Sequence, residues 1–250
     1  LERAPQVGAV VHLAGRSSGA PRQIYHDNVL ATAALLEWMV QRTVPRLVFA
    51  STGALYADCS GRAAREDDPL DPPSHYAGSK ATAEMLVRQA VADSAGKLHA
   101  VVLRFPHVYG PGNRKGVVWS FLDSAVAAGL ILLDGEGRQT RDFLYVDDAV
   151  CALQAALAHT PPGVTTLNIG TGRTIPLAEL ARLMEETLQR PVVAKKSGRP
   201  EQLPHAIWLD PRRAAEALGW TAAVSLAEGL RRTAAWRLSL QQGAAPAPSD

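Results

Sequence analysis

Three short apolar runs, at 8–15, 46–51 and 98–104, recur in the first hundred residues with amphipathic stretches between them. This alternation constrains the fold more than any other feature of the chain. In the first run Val7, Val10, Val11 and Leu13 suggest a strand covered on both faces. Next, Val29, Ala33, Leu36, Met39 and Val40 repeat at helical spacing, with Asp27 or Asn28 placed to cap the helix and Pro45 to end it. Strands alternating with helices of this length imply βαβ units, so the expectation is an α/β fold with a doubly wound, mainly parallel sheet.

Residues 57–73 carry Asp, Gly and paired prolines, the composition of a loop, and Ser74 then starts a helix bearing Tyr76, Lys80, Met85, Leu86 and Val87 to about Ala95. The pattern changes beyond Gly112. Residues 117–128 read as a helix, 130–137 as a strand entering a tight turn, and 149–158 as a helix capped by Asp147 or Asp148. Residues 167–170 read as a short strand and 176–188 as a helix opened by Pro176. Asp210 and Pro211 start a short helix that Gly219 stops, and Ser225 with Glu228 forms a capping box. The tail 241–250 has the composition of a disordered segment.

Composition removes several classes of function. The net charge is only +2, without a dense cationic stripe, so nucleic-acid binding has little electrostatic support. No apolar run reaches the roughly 20 residues that cross a bilayer, and no charged-then-apolar leader is visible. A cytoplasmic protein without membrane contact is the expectation. Cys59 and Cys151 lack metal-ligand spacing, and no metal site is expected.

Tyr76 and Lys80 stand four residues apart and project from one helix face. A phenol of pKa about 10 is a poor base at neutral pH, and lowering it by roughly three units takes about 4 kcal/mol. An ammonium some ~4–6 Å away in a partly dry cleft provides much of that. Thr52, where the second apolar run ends, supplies a hydroxyl that completes a proton path. A Tyr–Lys pair alone occurs on many solvated helices. Its surroundings make it informative: Phe-Ala-Ser-Thr-Gly-Ala-Leu-Tyr at 49–56, Arg-Phe-Pro-His-Val-Tyr-Gly-Pro-Gly at 104–112, and Arg-Asp-Phe-Leu-Tyr-Val-Asp-Asp at 141–148.

With these segments in this order, the chain resembles the extended short-chain dehydrogenase/reductase family, in its NAD-dependent nucleotide-sugar epimerase and dehydratase branch, from Val10 to about Leu230. The resemblance implies a Rossmann-type domain formed by 1–112 and about 142–170, with a smaller mixed α/β substrate lobe formed by about 113–141 and 171–240. It implies NAD as cofactor, NADP being the alternative, and a nucleotide sugar as substrate. It makes Tyr76 the acid/base, Lys80 its cationic neighbour and ribose anchor, and Thr52 the third member. Leu13, Ala14, Gly15, Ser51 and Phe105 fall beside the cofactor with Tyr76 and Lys80. Thr52, His107, Arg141 and Arg199 fall beside the substrate. For both arginines an exposed salt bridge is the alternative, and for Asn28 the alternatives are a helix cap and support of the active-site helix. His107 stands where the family commonly has asparagine, and the segment at 198–202 lacks the family's Gly-Asp, so the preferred sugar stays open.

Dehydratases of the family usually follow the threonine with an acidic pair or a glutamate, whereas Gly53 and Ala54 stand here. The resemblance therefore favours C4 epimerisation of a UDP-hexose, with a reductase or dehydrogenase of an activated sugar, or a non-catalytic scaffold, as alternatives. No glycine-rich dinucleotide loop is visible in the 250 residues, and the first run reads like the family's fourth strand. The expectation is an N-terminally truncated member, a genuinely short variant being the alternative, whose first strand lies at a sheet edge and which is marginally soluble and weak in NAD binding. Calorimetric titration giving micromolar affinity for the chain alone would overturn that. Family analogy also implies a homodimer through a four-helix interface.

Overall fold

The apolar runs become neighbouring strands. The structure, a computed structural model, describes residues 6–56, 58–59, 61–159, 161–200 and 206–241. In chain order, β1 (Val10–His12) turns into α1 (Pro21–Tyr25), which widens through a π-helical stretch, His26–Leu30, and continues as α2 (Ala31–Gln41). Then come β2 (Arg46–Thr52), a 3-10 turn at Gly53–Tyr56, α3 (His75–Asp93) and β3 (His99–Phe105). A second series contains β4 (His107–Tyr109), α4 (Gly116–Ala128), β5 (Leu130–Leu133), β6 (Thr140–Arg141), β7 (Phe143–Tyr145), α5 (Val146–Ala158) and β8 (Val164–Asn168). It closes with β9 (Ile175–Pro176), α6 (Leu177–Leu188), β10 (Val193–Lys196), β11 (Ala206–Ile207), α7 (Arg212–Leu218) and α8 (Leu226–Ser239).

The main sheet has the order β1-β2-β3-β8 and is parallel throughout. Pleating sends Leu47, Phe49, Ala100 and Val102 to the side of α2 and α3, where Leu36, Met39, Ala83 and Val87 meet them. Val48, Val101 and Leu103 point the other way, against Leu144, Ala149, Ala152, Leu167 and Trp220. Burial on both faces explains why these runs show no polar alternation. A second core joins β4, α4, β5, β7, α6 and α8 through Tyr109, Phe121, Leu122, Ile131, Phe143, Met184 and Leu230. Strand β7 serves both cores, with Leu144 turned to the main sheet and Phe143 and Tyr145 to the second core.

Several local expectations need correction. β1 is three residues long, with Val10 and Val11 only half-buried, because among the described residues it pairs on one side alone, with β2. It is the edge strand anticipated above. Asp27 and Asn28 do not cap a helix: the helix begins at Pro21, leaving both within its π-helical stretch. Asp148 is likewise inside α5, and its carboxylate accepts from the backbone N–H groups of Ala223 and Val224 at 3.1 and 3.0 Å. Ser74 does cap α3, accepting from Ala77 N at 3.2 Å. Ser225 forms half of its box, accepting from Glu228 N at 3.3 Å, while the Glu228 carboxylate turns to Arg231 and Arg232. Of the tail, 242–250 lies outside the described residues. No helix among the described residues is long and apolar enough to cross a membrane.

Candidate active site

The residues singled out for catalysis gather at the carboxyl edge of the parallel sheet, the edge where open α/β sheets bind ligands. His12 ends β1, Thr52 ends β2 and Phe105 ends β3, with Thr52 and Phe105 in direct register. Helix α3 brings Tyr76 and Lys80 across this edge. Thr52 is buried, Tyr76 is half-buried, and the Thr52 hydroxyl lies close enough to the phenol to favour its ionised form. Lys80 is buried, its Nζ 4.1 Å from the centroid of the Phe49 ring.

The electrostatics differ from the expectation. Burial pushes the Tyr76 phenol above its ordinary value, and the Thr52 hydroxyl only partly opposes this. The Lys80 ammonium lies over an aromatic ring, and burial drops its own pKa to about 8 against the opposing pull of Glu84. Helical spacing places two side chains on one face but does not aim their ends.

The turn after β1 is held from below by Asn28. Its Oδ1 accepts from Arg16 N at 2.6 Å, and its Nδ2 donates to Arg16 O at 2.9 Å and to Ser79 Oγ at 2.8 Å. One buried amide thus ties the turn to α3 beside Lys80. This is the supporting role, not the cap. A Cβ at Gly15 would come within 3.3 Å of Asn28 Oδ1, so the bare position keeps the backbone seated there. Ala14 and Gly15 line a cleft of about 450 Å³ with Arg16, Asp27 and Lys115, while Leu13 is exposed. Ser51 is turned away from the cleft: its hydroxyl donates to Glu84 Oε1 at 2.6 Å. Phe105 is half-buried and packs against the core on the α5 side.

On the substrate side, His107 and Arg141 come together. The His107 ring packs edge-on to Phe143, and its Nδ1 is shielded from solvent without a hydrogen-bond partner among the described residues. Burial, reinforced by the Arg141 charge, lowers its pKa to about 4. With Lys115 and the first turn of α4 it lines a recess of about 190 Å³. Arg141 is positioned by its neighbour. Asp142 is fully buried and accepts from Thr171 N at 3.1 Å and Thr171 Oγ1 at 2.6 Å, and burial raises its carboxyl to about 6. Arg199 is not brought to this group. It is exposed, its Nε donating to Asp134 Oδ1 at 3.0 Å, the salt-bridge alternative. Glu201 and Gln202, which follow it in its motif, lie outside the described residues.

Sequence reasoning missed the polar layer beneath the site. Glu84 and Arg104, 0% and 1% exposed, form a two-pronged pair at 3.0 and 2.7 Å. Arg104 also donates to the Tyr56 hydroxyl, which donates to Asn168 Oδ1 at 2.9 Å. The available signals were a glutamate four residues beyond Lys80 and an arginine closing an apolar strand.

A family model described as the NAD dependent epimerase/dehydratase family matches residues 1–170. The UDP-glucuronate 4-epimerase of Thermodesulfobacterium geofontis is 32% identical over 92% of this chain and 72% of its own length. The UDP-glucose 4-epimerase of Azospirillum brasilense is 30% identical over 97% and 77%. Among solved structures, MoeE5 in complex with UDP-glucuronic acid and NAD superposes with a TM-score of 0.87 at 31% identity, covering 94% of this chain and 80% of that one.

Proposed function

The chain belongs to the NAD dependent epimerase/dehydratase family, and from that premise we propose that it is an NAD-dependent sugar-nucleotide epimerase, inverting C4 of a UDP-hexose through a 4-keto intermediate. The observation that carries the reading is the gathering of Thr52, at the end of β2, with Tyr76 and the buried Lys80 of α3 at the carboxyl edge of the sheet.

Tyr76 and Lys80 would hold the nicotinamide ribose, with 13–15 running along the dinucleotide. Bound NAD supplies a hydride acceptor and donor at C4 and, when oxidised, a positive charge beside the phenol. Tyr76 takes the proton of the sugar 4-hydroxyl and Thr52 orients that hydroxyl; after the ketone turns over, Tyr76 returns the proton. Because the buried phenol starts above its ordinary pKa, its activation depends on positive charge arriving with the ligand. His107 and Arg141 would face the substrate diphosphate or base, since a guanidinium fork suits both. Arg199 would have to leave Asp134 to join them. Dehydration lacks a proton donor: a Cβ at Gly53 would lie 2.9 Å from both methyls of Leu209, which leaves no room for an acidic side chain.

Isomerisation without net redox, in the cytoplasm, completes the reading. The test is to offer UDP-glucose and UDP-glucuronate to the protein and follow the C4 epimer by NMR together with NADH absorbance. Epimer without net NADH supports the proposal. Net NADH would identify a dehydrogenase, and neither product a scaffold. Tyr76→Phe should lower kcat by about 10²- to 10⁴-fold with NAD binding retained; near-normal turnover would remove Tyr76 from the mechanism.

A further inference from the structure

The recess beside His107 and the cleft beside Gly15 share one wall, the turn that leads from β4 into α4. Asn113 and Lys115 line the recess, and Lys115 also lines the cleft. The backbone of this turn is loosely determined. Gly110, Gly112 and Gly116 all take positive φ, at 146°, 87° and 79°, and glycine enters and leaves such angles without strain. Asn113 supplies the local order. Its N–H donates to Gly110 O at 3.2 Å, its Nδ2 donates to Val108 O at 3.0 Å, and its Oδ1 accepts from Lys115 N at 2.9 Å. All three bonds stay between residues 108 and 115.

Arg114 reaches beyond them. Its guanidinium carbon lies 5.8 Å from the centroid of the Trp236 ring of α8, within the range where the ring quadrupole attracts a cation. Trp236 packs against Trp119 of α4, the two ring centroids 5.4 Å apart and the planes at 55°. Arg237 of α8 continues the row, 5.7 Å from the Trp119 centroid, with its Nε donating to Asp123 Oδ1 of α4 at 2.7 Å. The row joins α4 to α8 and ends on the turn.

We propose that Trp236 is a positioning residue for the site: with Arg114 held against its ring, it keeps the 113–115 turn in place as the wall common to the recess and the cleft. This rests on the epimerase reading only for what the recess takes, a nucleotide sugar. An indole that served solely to close the seam between α4 and α8 would be indifferent to the exposed side chain at 114. The turn, by contrast, needs a cation over that ring.

The experiment is amide hydrogen exchange, followed by NMR on the unliganded protein at the Asn113 and Lys115 N–H groups, which the turn itself protects. In Trp236→Leu both should exchange about two- to fivefold faster, the factor that an exposed cation–π contact supplies. Trp236→Phe, which keeps an aromatic face, should stay close to the unsubstituted protein. Arg114→Met should match Trp236→Leu, and it decides the matter if loss of the indole unfolds the chain, because Arg114 is exposed. Unmoved exchange at 113 and 115 in Arg114→Met overturns the proposal, and so does a Trp236→Phe variant that exchanges as fast as Trp236→Leu. In turnover of the nucleotide sugar, Arg114→Met should raise KM by a similar factor with kcat little changed, whereas a fall in kcat alone would contradict a positioning role. The exchange readout needs no ligand, so its failure is separable from failure of the epimerase reading.

Discussion

His12 and His107 are the residues whose ionisation most clearly depends on the fold. Thr32 Oγ1 spends its single proton on Asn28 O at 2.6 Å, so His12 Nε2 must donate in its 2.9 Å contact with that oxygen, which fixes the neutral Nε2–H tautomer. Burial lowers both histidines from 6.5 to about 4, helped by Lys80 at His12 and by Arg141 at His107. Between those values the unfolded chain binds protons that the folded chain refuses. Stability is therefore fully present above 6.5 and is lost as pH falls toward 4, at up to about 1.4 kcal/mol per pH unit for each histidine. Asp142 acts in the opposite sense: its carboxyl, raised from 3.8 to about 6, binds a proton first in the folded state and adds stability as pH falls through that range. The difference between variants is thus the useful measure. Urea unfolding of His107→Asn should lose less stability between pH 7 and 4.5 than the unsubstituted protein; equal losses would show that His107 is not held neutral.

At the scale of elements, the helices were legible where their start depends on neighbours in sequence and illegible where it depends on distant ones. Ser74 caps α3 as its spacing implies. Asn28 and Asp148 have the chemistry of caps, but Arg16, Ser79, Ala223 and Val224, all remote in sequence, claim their side chains. Gly229 makes the same point within α8. A glycine inside a helix usually costs about 1 kcal/mol relative to alanine, yet a Cβ at 229 would overlap Tyr109 and approach the Tyr145 ring to 2.9 Å. Both rings are buried in the second core and cannot yield freely. Gly229→Ala should therefore destabilise the protein by about 1–3 kcal/mol despite its better helix propensity, read as a lower denaturation midpoint; a rise would mean that this contact is loose.

For the whole molecule, the α2–α3 face exposes apolar side chains beside a groove among the described residues. A groove of about 410 Å³ between the two helices is lined by Ala33, Leu36, Val40, Leu86 and Ala90, with Glu37 and Asp93 at its rim. Val40 of α2 and Met85 of α3 are exposed by 51% and 66%, and Leu30, just before α2, by 61%. A second copy would cover them by pairing the same two helices into a four-helix interface, isologous as a two-fold dimer requires. Sedimentation should give a dimer that Val40→Lys/Met85→Glu converts to monomer; an unsubstituted monomer at micromolar concentration would remove the proposal. The face is legible from the sequence because its apolar residues recur at helical spacing.

The order of strands and helices, the parallel sheet and the pairing of Tyr76 with Lys80 on one face follow from the sequence by itself. Each is set by the period of side chains along a single element. The direction of the Tyr76 shift, the bond from Ser51 to Glu84, the seat of Asn28 and the separation of Arg199 from Arg141 were decided only by the tertiary structure. Each depends on how far a group is removed from water and on which side chain, twenty or a hundred residues away, meets it there, and neither quantity is carried by local spacing.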